Sequence, residues 1–401
     1  MPTHILFVDD ESNVLSGLRR MLRSQRREWT MHFASGGEEA LSLMERETID
    51  VIVSDMRMPG MDGAALLTRI SEAYPHTVRL ILSGQSDHER IFRAIGPAHQ
   101  FLSKPCEAET LIETVSRACR LQSQLADESL RNVISQIGTL PSLPQLYRDL
   151  VGELESSDAS LDRVGEIIGA DLAMSAKVLQ LVNSSFFGIP QHVNCPKHAV
   201  SLLGLSVIRP LALTAGAFAR YEDSILLEFS LSDAIDHGLA VATTARAIAM
   251  AESPEAPYLI DDAFIAGMMH DIGKLVLASH LQSSYREAFS LVSRENLAHP
   301  EAEKAVFGTT HADVGAHLLD LWGLPNSIVE AVAFHHRPSE SDATQFSPLT
   351  AVHAANVLRR SSESVGDAKH GTPWDLVHLE TLNLSDRVKA WKKLLPQEAL
   401  S

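Results

Sequence analysis

Four short apolar runs early in the chain each stop at a residue able to do chemistry. HILFV (4–8) runs into Asp9 and Asp10, and VIVS (51–54) runs into Asp55. VRLILS (78–83) ends on Ser83, and QFLS (100–103) runs into Lys104. Three carboxylates, a hydroxyl and an ammonium form a definite chemical set. If the runs are parallel strands, their carboxyl ends share one rim, where open α/β sheets bind ligands. The carboxylates can hold Mg²⁺, a hard cation that takes oxygen ligands at ~2.0–2.1 Å. Asp55 is then placed to attack phosphorus and become an acyl phosphate. The metal and Lys104 neutralise charge on the phosphoryl oxygens, and Ser83 can hydrogen-bond one of them. A single strand-end carboxylate would read as a helix cap. Agreement among four strand ends argues against that.

A second set is made of histidines. His237 shares a helix face with Val241, Thr244 and Ile248; His270 and Asp271, followed by Lys274, end an apolar helix. His311 opens the helix HADVGAHLLDLWGLP, and His335-His336 close the next one. Neutral imidazoles with a carboxylate suit Zn²⁺, Fe²⁺ or Mn²⁺. In an adjacent His-Asp pair the Asp can bridge two metals, a recurring device for phosphoester hydrolysis. One histidine on an apolar face is more often a satisfied core residue. His280, His299 and His370 read as surface residues.

The elements that must position these groups fall into two regions. Up to about residue 122, five apolar runs each precede a helical pattern, including one from Asp87. That predicts an α/β domain, a doubly wound five-stranded parallel sheet, over 1–122, and this pattern is similar to the flavodoxin-like fold. The last helical pattern continues as a connector over 107–137. The punctuation Gly138-Thr-Leu-Pro141-Ser-Leu-Pro144 opens an all-α domain over 138–360. Its helices are predicted at 160–169, 173–183, 196–203, 206–220, 233–251, 261–278, 311–322, 327–336 and 348–360, with no convincing strand. Residues 361–401 read as a tail with a short helix around Ser385 to Leu395.

Residues 4–122 resemble the receiver domain of two-component response regulators. The resemblance implies that Asp55 is the phosphoacceptor, that Asp9 and Asp10 are the acidic metal pair, and that the backbone carbonyl of Arg57 is the third protein ligand to Mg²⁺. It also makes Ser83 the switch hydroxyl, Lys104 the invariant lysine and Phe101 the switch aromatic. The implied phosphoryl donor is a sensor histidine kinase. His237, His270-Asp271, His311 and His335-His336 resemble the HD superfamily of metal-dependent phosphohydrolases, with two departures. Asn356 stands where a late Asp is expected, and an amide binds a hard divalent ion less well than a carboxylate. No GYP follows His336, which lowers the case for the branch that hydrolyses cyclic-di-GMP.

The preceding motifs settle the branch. Leu140-Pro-Ser-Leu-Pro144, Gly169-Ala-Asp171, Val178 through Gly188, Ala199 through Gly204, Glu303 and Phe307-Gly308 are similar to the HDOD domain across about 137–360. Leu172 replaces the family's usual Pro. HDOD domains recur as signalling outputs without a generally assigned activity. The resemblance therefore implies a switch acting on an unidentified signalling protein. The rival is a phosphorylation-gated phosphodiesterase for a nucleotide or cyclic dinucleotide. Receiver faces often dimerise, so a phosphorylation-dependent homodimer is a further expectation.

Bulk composition limits the partners. The net charge is −17, which repels phosphate backbones, and no helix-turn-helix signature stands out, so nucleic-acid binding is not expected. No apolar run approaches the ~20 residues that span a bilayer, and no signal peptide is visible. Cys106, Cys119 and Cys195 have no CxxC spacing and fit a reducing cytoplasm.

Overall fold

The computed structural model describes residues 3–84, 97–124, 141–363 (apart from 143, 157, 184–188, 190–192, 206, 209–218 and 221–230) and 373–395. The helix predicted from Asp87, the connector beyond 124 and most of the helix predicted at 206–220 lie outside these residues.

The N-terminal strands are β1 (Thr3–Val8), β2 (Trp29–Ala34), β3 (Val51–Asp55), β4 (Val78–Gly84) and β5 (Gln100–Lys104). They form one parallel sheet in the order β2-β1-β3-β4-β5. Ile5, Leu6, Val51, Ile52, Ile81 and Phe101 are buried, as strands covered on both faces require. Helices α1 (Ser12–Met21), α2 (Gly37–Met44), α3 (Gly63–Ala73) and α4 (Ala108–Gln124) connect or follow the strands. The register sets Val8 beside Ser54, Asp55 beside Leu82, and Ser83 beside Ser103. The chemically active residues therefore share the carboxyl rim.

Among the described residues, the second region is helical except for a two-residue parallel pairing, which the sequence does not announce. It joins β6 (Pro141–Ser142) to β7 (Ala219–Arg220). Helices α5 (Pro144–Glu155), α6 (Leu161–Gly169), α7 (Leu172–Val182) and α8 (Pro196–Leu203) come first. Ser160 and Asp171 cap α6 and α7 with their side chains, which satisfies amide groups left open at a helix start. Then follow α9 (Leu231–Glu252), α10 (Pro257–Met269), α11 (Ile272–His280), α12 (Gln282–Glu295), α13 (His299–Phe307), α14 (His311–Leu321), α15 (Asn326–Phe334) and α16 (Pro348–Glu363). The single helix predicted over 261–278 is two, with the corner at His270-Asp271.

The C-terminal residues are more than a tail. Helices α17 (Leu376–Thr381) and α18 (Val388–Lys392) follow α16. Buried Trp391 donates to Glu252 at the end of α9, and Asp375 N–H donates to Nε2 of His353 in α16.

The two regions touch through β5 and α4. Gln100 Nε2 donates to Leu321 O at 2.9 Å, and Gln180 Nε2 on α7 donates to His99 O at 2.6 Å. Arg117 on α4 pairs with Asp320 at 3.0 Å and donates to Asn326 at 2.9 Å. A cavity of about 190 Å³ lies between them, lined by Phe101, Thr114, Gln180, Asn183 and Trp322 among others.

Candidate functional site

At the sheet rim, Lys104 joins two carboxylates. Its ammonium is 2.6 Å from Asp9 Oδ2 and is ion-paired with Asp55 Oδ1. Asp55 Oδ2 accepts from the Arg57 N–H at 2.8 Å, and Asp9 Oδ1 accepts from the Glu11 N–H at 2.9 Å. Asp9, Asp55 and Ser83 are buried, whereas Asp10 is exposed beside them in the chain. Burial pushes the Asp55 carboxyl up from its ordinary value, Lys104 offsets part of this, and Asp9 adds to it. Burial opposes the charge on Lys104, but Asp55 and Asp9 outweigh it and hold the ammonium above its usual range. Gly63 opens α3 directly against the Asp55 carbonyl, where a Cβ would collide with backbone. A side chain there would displace the helix from the rim.

The helical region gathers His237, His270, His311, His335 and His336 around Asp271. One ligand atom each from Asp271, His311, His335 and His336 lie within 4.8 Å of one another, and the same holds for His237, His270 and Asp271. Asp271 is the shared member. The corner between α10 and α11 creates this, because it turns His270 and Asp271 into the same space. Thr310 and Asp313 form a capping box that sets His311 at the first position of α14. Gly273 lets α11 approach the His311 backbone, with no room for a Cβ.

The ring tautomers follow from their partners. His270 Nδ1 lies 2.7 Å from Gly267 O, and His335 Nδ1 lies 2.8 Å from Val332 O. Carbonyls only accept, so Nδ1 carries the hydrogen and Nε2 presents a lone pair. Both Nε2 atoms are buried without a hydrogen-bond partner among the described residues. Burial first, and neighbouring histidines second, hold His335 and His336 well below the ordinary imidazole value. Neutral rings with unused lone pairs beside an ionised carboxylate are what a divalent metal requires.

His311 is oriented by Glu303, whose Oε2 takes Nδ1–H at 2.6 Å and the backbone N–H at 2.8 Å. Its Nε2 lies 3.0 Å from His336 Nε2 and 3.1 Å from Asp271 Oδ1. Burial opposes a charge on His311, but Glu303 and Asp271 outweigh it and raise its pKa. A carboxylate behind a ligating imidazole is a recurring outer partner in metal sites. Sequence reading quoted Glu303 only as a motif residue.

The other half of the cluster differs. Asn356 Oδ1 lies 3.3 Å from His237 Nε2 and accepts from Arg360 Nε at 3.2 Å. Arg360 Nη2 reaches to 3.6 Å from Asp271 Oδ2, and Lys274 Nζ lies 2.6 Å from the same oxygen. Two fixed cations thus stand on the side where a carboxylate is missing. Sequence reasoning did not single out Arg360, although it lies one helical turn beyond Asn356. His299, read as a surface residue, is pushed down to about 4 by burial, with Lys274 and Arg360 adding to this.

Together these features define a doubly wound α/β domain joined to an HD-like helical domain. The profile of the response regulator receiver domain matches residues 5–116, and that of the HDOD domain matches 140–338. The chain belongs to the response regulators that carry an HDOD domain. Over 125 residues it is 36% identical to the hydrogenase transcriptional regulatory protein HoxA of Cupriavidus necator, covering 31% of this chain and 25% of that protein. Over 225 residues it is 24% identical to an uncharacterized protein of Treponema pallidum, covering 56% and 41%. The chain thus spans about a quarter to two-fifths of these relatives. Among solved structures, it resembles the signal receiver domain of an HD domain-containing protein from Pseudomonas fluorescens Pf-5. The identity is 34%, covering 31% of this chain and 98% of that one, with a TM-score of 0.30. Among the described residues, no helix is long and apolar enough to cross a membrane.

Proposed function

We propose that this response regulator works in a two-component phosphorelay, where a sensor histidine kinase phosphorylates Asp55 and the HDOD domain acts by binding another signalling protein. One observation carries the reading. The five-residue strand β5 ends in Lys104, which touches Asp55, and begins at Gln100, which is bonded to the HDOD domain. Phe101 lies between them and lines the cavity at the contact. A phosphoryl group on Asp55 competes for Lys104 and draws Ser83 toward its oxygens. That moves β5 and loosens the contact. The setting for this chemistry is the cytoplasm, and no nucleic acid is needed.

Asp9, Asp10, Asp55 and the Arg57 carbonyl would supply an all-oxygen donor set of the kind Mg²⁺ takes. When bound, the ion supplies charge neutralisation for phosphoryl transfer. Lys104 shares that task from the protein side.

The intact half of the histidine cluster favours a second reading, a phosphorylation-gated metal-dependent phosphohydrolase. Asp271, His311, His335 and His336 would hold Zn²⁺, Fe²⁺ or Mn²⁺, and the ion would supply a Lewis acid. Asn356 and Arg360 weigh against a second ion, because a neutral amide stands where a carboxylate would draw the cation in and a guanidinium lies beside it. Metal analysis of the purified protein, with a screen of cyclic dinucleotides in the same preparation, separates the readings. The expected result is at most one transition metal in the histidine cluster of the HDOD domain and no turnover. Two metals with turnover would replace the binding-module reading by the enzyme.

A further inference from the structure

The outer edge of the receiver sheet carries a group that neither of the sites above uses. His4 lies on β1 and His32 on the edge strand β2. The register places His4 opposite Thr30 and Leu6 opposite His32, so the two histidines are diagonal neighbours on one face of the sheet. Their rings stack at 5.4 Å between centroids with 23° between planes. Nδ1 of His4 and Nε2 of His32 stand 3.3 Å apart. Glu47, in the turn after α2, adds a carboxylate, and one ligand atom from each of the three lies within 4.8 Å of the others. We infer that His4, His32 and Glu47 form a binding site for a borderline divalent cation of the Zn²⁺ class.

The spacing supports this. Two nitrogen ligands at ~2.0–2.1 Å on a tetrahedral ion stand roughly 3.3 Å apart, which matches the observed separation. An ion at this place accepts a lone pair from both rings, whereas the direct ring-to-ring contact uses one lone pair and one hydrogen. Two imidazoles and a carboxylate leave a fourth position for water, and the donor type suits Zn²⁺ better than Mg²⁺. The carriers are fixed by the fold. The His4 N–H donates to Asp50 Oδ2 at 2.7 Å, which ties the start of β1 to the turn before β3. The site is separate from the phosphoacceptor rim. His4 precedes Asp9 by five residues along an extended strand, or roughly 16 Å at ~3.3 Å per residue. A bound ion would clip β1, the edge strand β2 and the turn containing Glu47 together.

The test compares the full-length wild type with His32→Ala and Glu47→Gln by equilibrium dialysis against Zn²⁺. The histidine cluster of the HDOD domain contributes the same background to all three, so differences read the strand site alone. The expected result is one zinc equivalent fewer in His32→Ala. In Glu47→Gln the affinity for that equivalent falls by at least about tenfold, because losing a direct carboxylate ligand costs no less than losing an outer partner, at about 10–100-fold. Glu47 is exposed, so its variant keeps the inference testable if His32→Ala fails to fold. Equal zinc content in wild type and His32→Ala, or an unchanged affinity in Glu47→Gln, would overturn it.

Discussion

An Asp55→Asn variant is expected to take up no phosphoryl group from a small acyl-phosphate donor, whereas the wild type gains one per chain. Mass spectrometry of the intact protein and of its Asp55 peptide reads both. The effect is all-or-none because the bond to phosphorus is made by a carboxylate oxygen, and the amide lacks a nucleophilic anion. The surroundings would survive. Asn keeps the shape, and its carbonyl can still accept from the Arg57 N–H that now serves Asp55 Oδ2. Burial and the nearby Asp9 raise the free energy of the Asp55 anion, and Lys104 offsets this. Lys104→Ala is therefore expected to slow uptake without moving it to another residue. Label appearing on a different residue in Asp55→Asn would show that the rim is misassigned.

The second large effect concerns the histidine cluster. Glu303→Gln is expected to weaken divalent-metal binding by about 10–100-fold, the range for losing an outer-shell carboxylate behind a ligating imidazole. Glu303 holds His311 twice, through Nδ1 and through the backbone N–H. Gln keeps a hydrogen-bonding side chain there but removes the charge that raises His311 basicity. Isothermal titration with Mn²⁺ or Zn²⁺ measures it. Asn356→Asp combined with Arg360→Ala acts in the opposite direction. It supplies the missing carboxylate and removes the competing guanidinium, so a second ion is expected to bind beside His237 and His270. Equal affinities in wild type and Glu303→Gln would mean that His311 is not a ligand.

Much of this was legible in the chain. Apolar runs ending in Asp9, Asp55, Ser83 and Lys104 gave the rim directly, because parallel strands align their carboxyl ends whatever lies between them. The histidines were legible as a set, since each sits at a helix end or on an apolar face. The corner at His270-Asp271 was not. Apolar periodicity runs through it from 261 to 278, and the break is enforced by tertiary packing of α11 on α14 through Gly273. Arg360 was hidden for a similar reason. Its distance to Asp271 depends on how α16 lies against the corner between α10 and α11, which spacing along one helix does not encode. The contact of Gln100 with Leu321 joins residues more than two hundred positions apart, and no local pattern announces it. The helices α12 and α13 were missed although Tyr285, Ala288 and Val292 carry helical spacing, because polar residues dilute it.

The coupling of the rim to the HDOD domain is the central claim, and hydrogen exchange tests it most directly. The wild type and Asp55→Asn would be compared with and without beryllofluoride, a phosphoryl mimic, following amides in β5, in α4 and around Asp320 to Asn326. Loss of protection in all three segments, in the wild type alone, is the predicted result. Protection that stays the same in the wild type once Asp55 is shown to carry the mimic would contradict the account, and the receiver would then act on its output by a route other than this contact.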